Sequence, residues 1–291
     1  MLFKTPFGPF RYAGAPAAAA ALLLALSACT STSPATSASS ASAAGYPAAH
    51  VHGITVDQTG RVLLATHEGL FDVSTKAAVK IGPSNDLMGF TPTADPSVFY
   101  ASGHPGKGSE LPNPVGLIRS VDGGRSWEQR SRQGESDFHA LTATRSGIVA
   151  FDGSFLTSPD GKSWTQATAG FQPAALAGNP DSDTVLATTP DGLQRSTDGG
   201  KTWLKNASAP VIQFAAFATP SDAVGIEPGG KVHYSADGGS TWKPKGSIDG
   251  QVQAMTTAKG ADGTVKIWVA TKAGVLLSTD GGTTFTPYKP A

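Results

Sequence analysis

One cysteine, Cys29, stands in the whole chain, so no intrachain disulfide holds the fold together. Charge is scarce and balanced, with 22 basic and 22 acidic side chains making up 15% of the residues. A chain without basic excess lacks the electrostatic footprint of a nucleic-acid binder, and none is expected as a partner. Neither H-E-x-x-H nor C-x-x-C occurs, so no local spacing announces a metal. The one long apolar run, residues 13–26, is too short for a comfortable membrane span. What is abundant is the residue pair that makes turns, 35 glycines and 21 prolines, which suits a turn-rich all-β domain.

The apolar run has its own meaning. Lys4 and Arg11 precede it and Leu26-Ser27-Ala28-Cys29 follows, the order of a signal peptide covering 1–28. The last four residues resemble a bacterial lipobox. That resemblance implies a lipid on Cys29, a membrane partner through that lipid, and export to the outer face of the cytoplasmic membrane. Residues 29–47 are Ser-, Thr-, Ala- and Pro-rich and read as a flexible tether, which leaves 48–291 as the folded domain.

Within that domain one stretch recurs. Ser196-Thr197-Asp198-Gly199-Gly200-Lys201-Thr202-Trp203 has counterparts centred on Asp122, Asp237 and Asp280, and a copy one residue shorter on Asp160. A spacing of 38 to 43 residues between these aspartates is the period of a repeat architecture. Asp-Gly-Gly between short apolar runs is a hairpin corner, since glycine reaches positive φ without a Cβ clash. The aspartate and serine accept amide hydrogen bonds there, and the aromatic residue opens the next strand.

The pattern S-x-D-x-G-x-x-W resembles the Asp-box, or BNR, repeat of sialidase-like propellers. The resemblance implies an all-β, six-bladed β-propeller of four-stranded antiparallel blades, with Asp122, Asp160, Asp198, Asp237 and Asp280 in structural turns between third and fourth strands. Blade four sets the template, with strands at 173–178, 184–189 and 192–196 and a fourth from Trp203. Blade one supplies strands at 52–56, 62–66 and 69–73 but no box, because Ser74-Thr75-Lys76 is not followed by Asp-Gly-Gly. No blade draws strands from both chain ends, so residues 284–288 are expected close to 46–51.

The innermost strands begin on the rim opposite the boxes. Aligned there, one position reads His52, Met88, His139, Ala174, Ala215, Gln253, and the position two earlier reads His50, Asp86, Asp137, Gln172, Gln213, Gln251. Just after the second strands come His67 and Glu68, then His104, then Asp152. Five of the six histidines thus gather on three consecutive blades, and His233 is the exception. Imidazoles with Met88 and carboxylates offer mixed N, S and O donors, so His52, His139 and Met88 are candidate ligands for copper or zinc. His50, His67, His104 and Asp152 are candidate ligand-binding residues, and Glu68, Asp86 and Asp137 are candidate catalytic carboxylates. The plainer alternative is a wet channel whose polar residues bond water.

Residues 48–290 resemble the lipoproteins described as glycosylhydrolase-like or sialidase-like. The segments His50-Val51-His52-Gly53, Ala65-Thr66-His67-Glu68-Gly69-Leu70 and Asp137-Phe138-His139-Ala140-Leu141 carry the likeness. The arginine triad and Arg-Ile-Pro signature of true sialidases are missing, and without bidentate arginines nothing grips a substrate carboxylate. Three functions stand side by side. One is a surface protein binding a glycan or protein ligand at the rim, with or without a transition metal. The second is another glycoside hydrolase working through two rim carboxylates. The third is a scaffold propeller with a protein partner.

Overall fold

The computed structural model describes Tyr46, Pro47 and residues 49–290. The signal peptide, Cys29 and nearly all of the tether lie outside the described residues. Short runs in which apolar and polar residues alternate become strands, and each corner between them carries a glycine, aspartate or serine. Blade one is β1 (Val51–Val56), β2 (Val62–Thr66), β3 (Gly69–Asp72) and β4 (Val79–Ile81). Blade two is β5 (Asp86–Pro92), β6 (Phe99–His104), β7 (Leu117–Ser120) and β8 (Glu128–Ser131). Blade three holds β9 (Ala140–Thr144), β10 (Gly147–Phe151), β11 (Phe155–Ser158) and β12 (Thr165–Ala167). Blade four holds β13 (Ala175–Gly178), β14 (Val185–Thr189), β15 (Gly192–Ser196) and β16 (Leu204–Asn206). Blade five is β17 (Phe214–Phe217), β18 (Ala223–Ile226), β19 (Lys231–Ser235) and β20 (Lys243–Ser247). Blade six is β21 (Val252–Lys259), β22 (Val265–Thr271), β23 (Gly274–Ser278) and β24 (Thr286–Pro287).

Each blade is a four-stranded antiparallel meander of consecutive strands, and there are six, as the repeat period implies. The inner strands β1, β5, β9, β13, β17 and β21 are neighbours in that order, and β21 returns to β1. Among the described residues no strand is exchanged between first and last blades, and side chains pack across the seam where the ring closes.

The Asp-Gly-Gly corners are built as their residue types require. In blade two Ser120 Oγ donates to Asp122 Oδ1 at 2.8 Å and accepts from Gly124 N–H at 2.8 Å. Asp122 also accepts from Ser126 N–H at 2.9 Å and from the Ser126 hydroxyl at 2.6 Å. The same bonds recur at Asp198, Asp237 and Asp280. The shorter copy keeps the serine–glycine and aspartate–amide bonds, Gly161 N–H to Ser158 Oγ and Ser163 N–H to Asp160 Oδ1, both at 2.8 Å. Blade one, lacking the motif, uses Ser74, which accepts from Val62 N–H at 2.6 Å and donates its own N–H to Asp72 at 2.9 Å.

Each corner reaches the blade before it. Gly124 has φ +89°, and a Cβ there would collide with Leu70 of blade one. The following aromatic fills the same seam: Trp127 packs with Leu63 and Leu70 of blade one, Trp164 with Leu117 of blade two, and Trp203 with Val149 of blade three. Trp242 and Phe285 repeat this against Leu186 and Val232. Each of these rings is partly buried, so its burial contributes only part of the ~1.5–3 kcal/mol that a fully buried large apolar side chain gives.

The corners also carry an acid signature. Asp237 is held down at about 2, first by the Thr241 hydroxyl and then by the Thr241 N–H, and Asp122 and Asp280 are held down in the same way to about 2. A carboxyl depressed on folding gives stability that is complete above its unfolded pKa, ~3.9, and is lost as pH falls through the folded value. Urea melts should therefore show stability declining as pH falls below ~4. Asp237→Asn should lower stability at pH 7 by less than about 1 kcal/mol, because the carboxylate is exposed and screened by water, and remove part of the acid slope. A gap between variant and wild type that does not change from pH 7 to the acid limb would contradict the assignment.

Candidate functional site

Three segments build the mouth of the ring, and each repeats one local pattern. In His50-Val51-His52, Asp86-Leu87-Met88 and Asp137-Phe138-His139 a fully buried apolar residue separates two polar or soft ones. Val51, Leu87 and Phe138 anchor in the core, so their flanking residues share the opposite side. In β1 and β5 the register against the next strand slips at one residue, between Val51 and Gly53 and between Leu87 and Gly89. The extra residues are His52 and Met88, and a bulge of this kind re-aims a side chain. Gly89 then lets the blades close up, because a Cβ there would strike the Phe138 carbonyl. Ser102, buried in β6, accepts from Phe138 N–H at 2.9 Å and holds Asp137 and His139 beside blade two.

His67 is set by a tight corner. Thr66 Oγ1 donates to Gly69 O at 2.9 Å and accepts from Glu68 N–H at 3.0 Å. Gly69 takes φ +116°, leaving His67 at the tip. From there His67 Nδ1 lies 3.0 Å from both oxygens of Asp86, so Nδ1 carries the proton and Nε2 presents its lone pair. His52 Nε2 is 3.2 Å from His67 Nε2. The ring centroids of His50 and His52 are 4.7 Å apart, and those of His52 and His67 are 4.4 Å apart.

Beside this group a second one forms. Asp137 Oδ2 is 2.7 Å from His139 Nε2 and 3.3 Å from His104 Nε2. The other nitrogen of His104 bonds Asn113 Oδ1 at 2.7 Å, so the long loop after β6 folds back to orient it. Asp137 Oδ1 is buried and has no protein partner among the described residues.

The electrostatics of the two groups oppose one another. Burial is the main reason His52 is lowered to about 4, aided by His67 and His50. His50 is lowered as well, first by burial, then by His67 and by Lys272 just after β22. His139 is raised by its hydrogen bond to Asp137. Burial alone would raise Asp137, but the bond from His139 and the imidazoles of His139, His104 and His52 outweigh it and hold it low.

Of the residues singled out from the sequence, His52, Met88 and His139 line one cavity of about 700 Å3 that is walled by all six inner strands. Among the described histidines, cysteines and carboxylates a different trio could hold an ion: His50, His52 and His67 bring one nitrogen each within 4.8 Å of the others. Met88 and His139 stand outside it. Glu68 is exposed at its corner and makes no ion pair among the described residues. Asp152 is taken up by Arg132 at 3.1 Å and Ser136 at 2.6 Å, which fastens blade three locally. His233, the histidine off the rim, pairs with Glu227 at 2.5 Å. Two contributors were missed in the sequence, Asn113 and Lys272. Lys272 has a signal that could have found it, since Thr271-Lys272-Ala273-Gly274 repeats the Thr66–Gly69 corner.

The opposed shifts can be read directly. In protein stripped with EDTA, imidazole proton resonances should titrate near pH 4 for His52 and above 6.5 for His139. Asp137→Asn should return His139 to ~6.5 or below. The stability signs follow. As pH falls from ~6.5 towards 4 the unfolded chain takes a proton that folded His52 refuses, and stability falls. The raised His139 adds stability that is complete below ~6.5 and is lost as pH rises through its folded value. Both imidazoles titrating together near 6.5 would contradict the geometry.

No protein-family model and no curated protein matches the chain. Solved structures do. A GH74 enzyme of Niastella koreensis matches with TM-score 0.57 at 17% identity, over 82% of this chain, which spans 37% of that enzyme's length. Virginiamycin B lyase of Staphylococcus aureus matches with TM-score 0.54 at 15% identity over 84% of this chain and 87% of its own. YCF48 of Cyanidioschyzon merolae matches with TM-score 0.51 at 14% identity over 81% and 97%. At these identities the likeness is one of fold, and the fold is the six-bladed β-propeller described above.

Proposed function

We propose that this chain is an exported, lipid-anchored propeller of the Asp-box type that captures a ligand at the mouth formed by blades one to three. The observation that supports it best is an asymmetry. His50, His52, Met88 and His139 line the cavity from blades one to three, with His67, Asp86, His104 and Asp137 grouped beside them outside its lining, while blades four to six offer Ala174, Ala215 and Gln253 at the matching positions. A channel that merely held water has no need of such one-sided chemistry.

Glycan hydrolysis is less well supported by this geometry. A glycosidase needs one carboxyl kept protonated as general acid, which calls for a raised pKa. Asp137 is instead held low by its imidazole neighbours, and Asp86 is occupied by His67. The extracytoplasmic address rests on Leu26-Ser27-Ala28-Cys29 and the tether that follows.

A thermal-shift panel tests the reading with sialosides, neutral oligosaccharides, short peptides, and zinc, copper and nickel chlorides as probes. A probe present at 100 times its Kd stabilises by about 2.7 kcal/mol, roughly 5–10 °C for a domain this size. At least one probe class should raise the melting temperature of wild type and lose that effect in His104→Gln/Asp137→Asn or in His52→Gln. A panel whose shifts are the same in wild type and both variants counts against the mouth as a binding site.

A further inference from the structure

The proposed mouth divides into two groups with different chemistry, and the His50–His52–His67 group has the geometry of a coordination shell. We infer that these three imidazoles bind one borderline divalent cation of the Zn2+, Cu2+ and Ni2+ class, with Asp86 as the outer partner of His67. This deepens the ligand-capture reading and depends on the same mouth.

Distances decide the matter. Zinc–imidazole bonds of about 2.0–2.1 Å in a tetrahedron put two ligand nitrogens roughly 3.3 Å apart. His52 Nε2 and His67 Nε2 are 3.2 Å apart, and the trio's donor atoms all lie within 4.8 Å, so two of the three are at ligand spacing and His50 is the one that must draw closer on binding. The His67–Asp86 contact is the arrangement that metal-bound histidines ordinarily have, with the far ring nitrogen donating to a carboxylate and the near one free to ligate. His52 Nε2 stands 3.4 and 3.2 Å from the two ring nitrogens of His67, with the rings at 82°, so the two imidazoles crowd one point from perpendicular directions.

The donor set also selects. Three imidazoles without a thiolate suit zinc, copper and nickel, and disfavour calcium or magnesium, which want oxygen ligands. Three protein ligands leave a fourth position open, as in metal sites that bind an exogenous group. His50 and His52 line the cavity, so that position opens towards it. Met88 and His139 line the same cavity outside the trio and are not needed for the shell. Lys272 beside His50, Asp86 beside His67, and the Asp137–His139 pair near His52 are the charged and titratable groups facing the site from blades six, two and three.

The experiment is a calorimetric and elemental titration of the full chain, expressed without a histidine tag and stripped of metal beforehand. Zn2+, Cu2+ and Ni2+ should bind at one equivalent, and Ca2+ and Mg2+ should not. His50→Gln, His52→Gln and His67→Gln should each weaken Zn2+ binding by 100-fold or more, and Asp86→Asn by about 10- to 100-fold. Met88→Leu and His139→Gln should change it by less than about threefold. Visible absorption of the Co2+-loaded chain should show the intense bands of a four-coordinate site and lose them in His52→Gln. Thermal melts of each apo-variant establish that it is folded, and wild type alone suffices for the stoichiometry. No binding by folded wild type, or binding lost through Met88 and His139 instead of the trio, overturns the inference. If Zn2+ fails while glycan or peptide probes still shift wild type only, the metal is refuted and the mouth stands. If every probe fails, both fall together.

Discussion

The seam between consecutive blades is the constraint from which the rest of this molecule follows. A four-stranded meander cannot bury its two faces by itself, and here each face is covered by the next blade. The Asp-Gly-Gly corner makes that cover reproducible. Its second glycine presses on a Leu or Val of the preceding blade and its aromatic ring fills the gap behind, as Gly124 and Trp127 do against Leu70. Because one corner sets one seam, the angle between blades repeats. A repeated angle is what allows six short sheets to meet as a ring.

The sixth seam shows what the corner supplies by having none. Blade one has no box, so between blades six and one there is no aromatic of that origin. Trp268 of β22, Tyr46 ahead of β1 and Tyr288 behind β24 occupy the seam instead, packed with Val51, Leu64 and Ala270. Burial pushes the Tyr46 phenol up well above its ordinary range, in keeping with a ring driven into apolar surroundings. Closure is thus assigned to residues from the two ends of the folded domain, which meet there without exchanging a strand.

The sequence is most informative where one physical requirement is repeated. The corners recur because positive φ and an amide-accepting aspartate are needed at every blade, so blade number, order and the third strand of blade four (192–196) were readable directly. The inner strands were harder. Their starts were placed by aligning small residues, which found the rim but not the bulges that pull His52 and Met88 out of the ladder. A bulge leaves no mark in periodicity beyond one extra residue. The rim alignment thus groups His52, Met88 and His139 across blades, whereas the 3.2 Å nitrogen–nitrogen approach, His52 to His67, lies within blade one. His67 reaches its neighbours because a threonine–glycine corner turns it inwards, and that direction is a tertiary fact. Asn113 was invisible for a similar reason, since only the folded path of the loop after β6 brings it to His104.

The charge at the mouth sets how recognition must work. Charges of both signs meet there, Asp86 and Asp137 against Lys272, and the bond to Asp137 favours the protonated form of His139. His50 and His52 are held neutral by burial and by one another. The mouth is thus of mixed sign, and the whole chain is formally neutral. Such a mouth on a neutral protein does not steer a charged ligand from a distance, an effect that needs a one-signed cleft. Selection therefore falls to short-range chemistry, lone pairs and hydrogen-bond donors in fixed positions. Such positions are worth most where water is thin and the groups are already held, and here they are held, His67 by Asp86 and His104 by Asn113. The rigid seams below the rim keep those partners in register.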